Sequence, residues 1–186
     1  HQLEHKQYYP QPGYVEHDPE EIWNNTKTVI REAIRKSGIN VKDLKGLGIT
    51  NQGETIIPFD PTTGEVLHNA IVWQDLRASS IVDSFKELIS AEELRERTGL
   101  LFSPYFSASK IVWLINNVPL VRERLEEGRC VFGTIDTFLA FRLTGRIITD
   151  ATNASRYMLM NIKTLQWDDK LLNLFDIPKS ALPEIV

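Results

Sequence analysis

Glu54 lies in a polar run, Thr50-Asn51-Gln52-Gly53-Glu54-Thr55, that sits between two apolar stretches, Gly46–Ile49 and Ile56–Phe59. A carboxylate can accept hydrogen bonds from two neighbouring hydroxyl groups, and amides such as Asn51 and Gln52 both donate and accept. Gly53 has no side chain, so a ligand can approach the backbone there. This combination suits a small polyhydroxylated molecule. Trp73 closes another apolar run, Ala70-Ile71-Val72-Trp73, that turns abruptly polar at Gln74-Asp75. An aromatic face can pack on the C–H face of a polyol, or it can simply be core. Tyr105, between Pro104 and Phe106, carries a hydroxyl that needs a partner if buried. Position alone leaves each residue two readings: Glu54 as a solvated turn carboxylate or a ligand group, Trp73 and Tyr105 as core or ligand wall.

The elements that must position these residues follow from periodicity and caps. Asp18-Pro19-Glu20-Glu21 opens a helix, with Asp as N-cap and Pro in the first turn. Ile22, Val29, Ile30, Ala33 and Ile34 keep helical spacing until Gly38 ends it. The run 45–50 reads as a short buried strand, so the polar turn lies at a strand end, where open α/β sheets place ligand groups. Pro61-Thr62-Thr63-Gly64 separates β-like runs 55–59 and 66–72, which predicts a hairpin, and Pro58 puts its strand at an edge or a bulge. Helical spacing resumes after Arg77. Ser90 opens a further helix that Gly99 closes. Residues 100–106 form an apolar loop, Ser107 is the expected cap of the next helix, and Pro119 starts another. Val131-Phe132 is a short strand, and Thr134-Ile135-Asp136 begins a helix that Thr144-Gly145 stops. Ile147–Thr149 is extended, 150–155 is loop-like, 156–160 reads as a strand, and Asp168-Asp169 opens a last short helix. Asp136 reads as a first-turn helix charge and Asp150 as a loop cap.

Composition narrows the function classes. The chain has 186 residues, 42% of them apolar and 25% charged, as in ordinary globular domains. A net charge of −4 speaks against a nucleic-acid backbone as partner. No apolar run is long enough for a membrane span. The single cysteine, Cys130, lies in an apolar run and reads as a small buried hydrophobe. No P-loop or dinucleotide glycine motif, no metal-ligand spacing and no Gly-x-Ser-x-Gly elbow occurs. Cytoplasmic localisation is the expectation. The chain starts at His1 and stops at Leu182–Val186 without an evident cap, and it is expected to be a piece of something longer. The overall expectation is one α/β region of mixed helices and short strands.

Several phrases together resemble one family. Pro12–Pro19, Glu21-Ile22-Trp23, Gly48–Gln52 with Glu54-Thr55, Asn69–Gln74 and Ser103–Ser107 are similar to segments of glycerol kinases. Tyr105–Asn117 resembles the motif of the wider FGGY carbohydrate kinases, and Gly133–Thr137 and Thr149–Arg156 complete the set. The resemblance runs through nearly the whole chain in one order. It implies a ribonuclease-H-like, actin-like α/β domain, incomplete, with a mixed sheet and helices. Residues 1–186 would be most of the N-terminal kinase domain, with the first strands and the C-terminal domain absent. It also implies ATP and Mg²⁺ as cofactors and a small polyol substrate, with no nucleic-acid or membrane partner and homo-oligomerisation left open. Glu54 and Tyr105 would bind hydroxyls and Trp73 would pack on the carbon chain. No catalytic residue is expected within this chain, the base aspartate lying beyond Val186, so the isolated chain is expected to be inactive. Glycerol kinases carry arginine where this chain has Gly53. A lost charge-assisted hydrogen bond costs ~1.5–3 kcal/mol. The missing guanidinium and the added space therefore raise the expectation of a larger polyol or sugar. A non-catalytic polyol- or protein-binding module is the rival from another class. A nuclease of the same fold is weaker, because no acidic metal cluster is evident.

Overall fold

The computed structural model describes residues 1–186. The first element, β1 (Glu16–His17), leads at once into α1 (Pro19–Ser37). The Asp18 carboxylate accepts from the Glu20 N–H at 2.8 Å, and Glu20 and Glu21 set negative charge against the N-terminal end of the helix dipole. Gly38 takes φ 66° to end the helix, a left-handed conformation that glycine adopts without steric cost.

The central sheet contains β1, β2 (Ile56–Phe59), β3 (Ala70–Ile71) and β4 (Val131–Thr134), in the order β1-β3-β2-β4 and antiparallel throughout. The expected hairpin forms. Asp60 accepts from the N–H groups of Thr62 and Thr63, and Gly64 supplies the positive φ that the tight turn needs. β2 is an interior strand, not an edge. Between the Phe59–Val66 bridge and the Ile56–Ile71 pair it spans three residues while the opposite arm spans five. That bulge accommodates Pro58, which has no N–H to offer and only accepts, from the Leu67 N–H. Only Ala70–Ile71 of the second arm is regular strand.

Strand side chains alternate between two buried layers. Ile56 joins a core with Ile71, Phe85, Leu94, Ile111, Leu114 and Phe132. Ile57 and Phe59 face the opposite way, into a smaller core with Ile22, Phe138 and Leu139. Both faces of the sheet are covered, so its strands read as continuous apolar runs and not as an alternation. At Gly133, on β4, a Cβ would sit 2.8 Å from Thr137 Cγ2 and 3.0 Å from Phe59 Cε1, so only glycine lets the layers approach this closely.

The larger core is built by α2 (Ser79–Leu88), α3 (Ala91–Thr98), α4 (Ser107–Asn117) and α5 (Pro119–Glu126). Ser90 caps α3 through the Glu93 N–H, as its spacing predicts. Ser107 does not cap α4. It is the first helical residue, wholly buried, and its hydroxyl donates to the Glu54 carbonyl instead. α6 (Ile135–Thr144) lies over the other core and ends at Gly145 with φ 75°.

Two further sequence expectations fail. Residues 45–50 form no strand, and Leu47 and Ile49 are exposed. Apolar content makes a strand available, but a ladder partner makes it regular, and none pairs with this run here. Residues 151–157, read as loop and strand, are helical. After β5 (Ile148–Thr149), Asp150 accepts from the Asn153 N–H and nucleates α7 (Ala151–Ala154), with a 3₁₀ turn over Ser155–Tyr157. Tyr157 is fully buried and its hydroxyl accepts from the Thr134 N–H, which holds the turn down. Strand structure is confined to β6 (Met160–Asn161), paired with β7 (Gln166–Trp167). Asp168 then caps α8 (Asp169–Leu174), and β8 (Glu184–Ile185) runs parallel to β5. No helix is long and apolar enough to cross a membrane.

His17 is buried with neither ring nitrogen hydrogen-bonded, and the His5 ring packs on it edge-on at 4.6 Å. Burial pushes its pKa down from 6.5 to about 4; His5 acts in the same direction and Glu21 opposes. Between those values the unfolded chain binds more protons than the folded one, so this group's contribution is complete above 6.5 and is lost as the pH falls through 4. The urea midpoint of the wild type is therefore expected to decline from about pH 7 to about pH 5, and His17→Phe to flatten that decline. An identical decline in the variant would assign the effect to other groups.

Candidate functional site

The turn 50–55 is fastened on three sides. Thr55 Oγ1 donates to Gln52 Oε1 within the turn and accepts from the Trp73 N–H, which ties the turn to the end of the hairpin. Asn51 Nδ2 donates to Asn153 Oδ1 at 3.0 Å and to Asp136 Oδ1 at 3.4 Å. The Glu54 carbonyl accepts from Ser107 at the start of α4. Four distant parts of the chain thus converge on six residues.

The structure brings Gly53, Glu54, Trp73 and Tyr105 together. Trp73 and Tyr105 meet edge to face, with ring centres 5.5 Å apart, and both are half-buried. Partial burial separates them from the fully enclosed core aromatics such as Phe59 and Phe132. Glu54 is nearly buried, and its Oε1 accepts from Arg156 Nε–H at 2.6 Å. The Arg156 guanidinium lies over Phe106 at 5.0 Å and Tyr105 at 5.8 Å, within cation–π range. Arg156 thus links Gly53, Glu54 and Tyr105, and Tyr105 links to Trp73. The other flank of the turn, Thr50–Gln52, lines a cavity of ≈ 230 Å³ with His5, Thr26 and Ile135.

Arg156 corrects one expectation. The space beside Gly53 is not vacant: a Cβ built there would lie 3.3 Å from Arg156 Cγ and 3.4 Å from Asn153 Oδ1. Extra volume for a larger ligand is therefore absent at this position, and a guanidinium stands beside the glutamate after all, delivered from residue 156.

The groups behind the wall escaped sequence reading. Lys110 is wholly buried, and its ammonium donates to the carbonyls of Tyr105 (2.5 Å) and Phe106 (3.2 Å), clamping the loop that presents the tyrosine. Burial pushes its pKa down to about 7, with Asp75 and Glu54 pulling the other way. Arg77 fixes the segment after Trp73. It bonds both oxygens of buried Asp75, reaches Glu16 Oε1 at 2.8 Å, and stacks over Tyr14 at 3.9 Å. Asp75 also accepts from the Val15 N–H at 2.6 Å, locking this segment to the strand before α1.

Asp136 does sit in the first turn of α6, as its position suggests, but it is also buried among donors. Thr134 Oγ1 and Thr149 Oγ1 donate to it at 2.5 and 2.8 Å. Burial raises its carboxyl pKa, and those two hydroxyls partly offset the rise. The Thr-x-Asp spacing at 134–136 was the one local signal for this network. Cys130 is buried, and burial pushes its thiol up to about 12, in keeping with a packing role.

A family model, the FGGY family of carbohydrate kinases, N-terminal domain, matches residues 1–186. The chain belongs to the FGGY carbohydrate kinases. This FGGY domain is 51% identical over 181 residues to a glycerol kinase of Citrifermentans bemidjiense, covering 96% of the chain and 37% of that protein. A crystal structure of Plasmodium falciparum glycerol kinase with ADP superposes with TM-score 0.90 at 44% identity, over 98% of the chain and 37% of that structure. Gluconate kinase from Lactobacillus acidophilus superposes with TM-score 0.86 at 28% identity, over 99% of the chain and 36% of that structure. The FGGY domain thus spans well under half the length of the relatives it matches. Its architecture is the actin-like, ribonuclease-H-like α/β fold of these kinases, with the mixed helices and short strands expected.

Proposed function

We propose that this chain supplies the polyol-binding wall of an ATP-dependent kinase that phosphorylates glycerol, as most of the N-terminal kinase domain. The observation that carries the reading is the Glu54 carboxylate. One oxygen is held by Arg156, whose guanidinium lies over the Tyr105 ring that meets Trp73, and the other accepts from no protein donor. A free carboxylate oxygen accepts from substrate hydroxyls, the Tyr105 hydroxyl offers a second contact, and Trp73 shields the C–H face. Glycerol kinase relatives at about half identity support glycerol over larger polyols. The space now seen to be filled beside Gly53 supports it as well.

These residues bind and orient; they move no proton. A phosphoryl transfer depends largely on positioning and on charge stabilisation, so fixing one primary hydroxyl is a real share of the catalysis. ATP would supply the phosphoryl group and Mg²⁺ would neutralise its charge. The residues present do not fit either group by themselves. The turn carries a single glycine and no phosphate-cradling glycine motif, and no group of three His, Cys, Asp or Glu could hold a metal ion.

The test is ATP-dependent phosphorylation by the complete gene product of glycerol, erythritol and xylitol. Glycerol is expected to have the highest kcat/KM. No turnover of any polyol would overturn the kinase reading, and a preference for a pentitol would overturn the substrate.

A further inference from the structure

We infer that Arg156 is a substrate-binding, specificity-determining residue: with Glu54 it forms a donor–acceptor clamp for two adjacent hydroxyls, in a seat that Gly53 leaves open. The inference rests on the proposed polyol site and extends it to a residue 102 positions beyond Glu54.

Three observations fix the guanidinium in place. Its stem packs on Gly53, where any side chain would crowd it: the absent Cβ would lie 3.3 Å from Arg156 Cγ. Gly53 does not need a positive φ, so backbone conformation does not require glycine at this site; side-chain space does. The 3₁₀ turn that carries Arg156 is anchored by its neighbour Tyr157, fully buried and bonded to the Thr134 N–H. The guanidinium plane is further held over Phe106 and Tyr105.

What remains free defines the chemistry. Only Nε–H is used, in the 2.6 Å bond to Glu54 Oε1. The Nη groups donate to no protein acceptor, and the side chain is 35% exposed. A purely structural ion pair would gain from the two-point geometry that guanidinium and carboxylate share, as Arg77 does with Asp75. The Arg156–Glu54 pair is joined at one point, which leaves carboxylate Oε2 and the Nη donors unused. A hydroxyl that donates to Oε2 has lone pairs for an Nη–H, and its neighbour on the next carbon can accept another. The planar guanidinium gives this reading of adjacent hydroxyls its geometry.

The experiment compares glycerol with 1,3-propanediol, which lacks only the central hydroxyl, in the complete gene product. The variants are Arg156→Met, Arg156→Lys and Gly53→Ala, each checked by thermal melting. The wild type is expected to favour glycerol by ~100-fold in kcat/KM, as sites built to bond a hydroxyl reject analogues without it. Arg156→Met is expected to lower kcat/KM for glycerol by ~100-fold, mainly through KM, and that for 1,3-propanediol by less than about threefold. Arg156→Lys should fall between. Gly53→Ala should raise the KM for glycerol by about tenfold by displacing the Arg156 stem. If Arg156→Met fails to fold, the discrimination ratio of the other two variants decides. Equal losses on both substrates would make Arg156 structural and overturn the clamp while leaving the kinase reading intact. A wild type inactive on both would overturn the kinase reading and the clamp with it.

Discussion

Replacing Glu54 by glutamine in the complete gene product is expected to lower kcat/KM for glycerol by ~100-fold, with most of the loss in KM. The carboxylate accepts from Arg156 at 2.6 Å in a nearly buried position, and its other oxygen is available to substrate. Glutamine keeps the shape but turns one acceptor into a donor and removes the charge. Each charge-assisted hydrogen bond lost costs about 1.5–3 kcal/mol, and 1.4 kcal/mol is about a factor of ten. Two affected contacts give the predicted size. Stability should change little, because the amide oxygen can still accept from Arg156 Nε–H. Steady-state kinetics with calorimetric glycerol binding would check both points. Unchanged glycerol affinity would remove Glu54 from the site.

The largest effect on stability is expected from Arg77→Met. The arginine side chain is 1% exposed, between Asp75 and Glu16, whose side chains are 0% and 7% exposed. Methionine fills much of the volume but leaves two carboxylates in a low-dielectric interior without their cation. Removing one partner of a buried charge network costs about 3–5 kcal/mol. At roughly 2–4 °C per kcal/mol for a domain of this size, the melting temperature should fall by ~10 °C. The segment Trp73–Arg77 is joined to Val15 through Asp75, so glycerol KM should rise as well. Thermal melts and urea midpoints measure the first effect. A loss below about 1 kcal/mol would show that the two carboxylates find other partners or take up protons.

Much of the local structure was legible because its causes are local. The caps at Asp18 and Ser90, the left-handed glycines at 38, 99 and 145, and the hairpin around Asp60–Gly64 each depend on residues within a few positions. The run 45–50 was misread because apolar residues signal an available strand and say nothing of a partner. Residues 151–157 were misread because a polar run resembles a loop until one sees that Asp150 caps it and Tyr157 is buried.

For the site, the sequence by itself determined the family and put the turn of Gly53 and Glu54, Trp73 and Tyr105 forward as candidates. Motifs in a fixed order do not need coordinates. Tertiary structure alone decided that Trp73 and Tyr105 touch, that Lys110 clamps the tyrosine loop, and that Arg156 occupies the place beside Gly53. The reason is distance along the chain. The Glu54–Arg156 pair is separated by 102 residues, and no period or cap links two such positions. Only the packing of the 3₁₀ turn Ser155–Tyr157 against the turn 50–55 brings the guanidinium to the carboxylate. Glycine at 53 was legible as a missing side chain; that another residue's side chain fills its place was not.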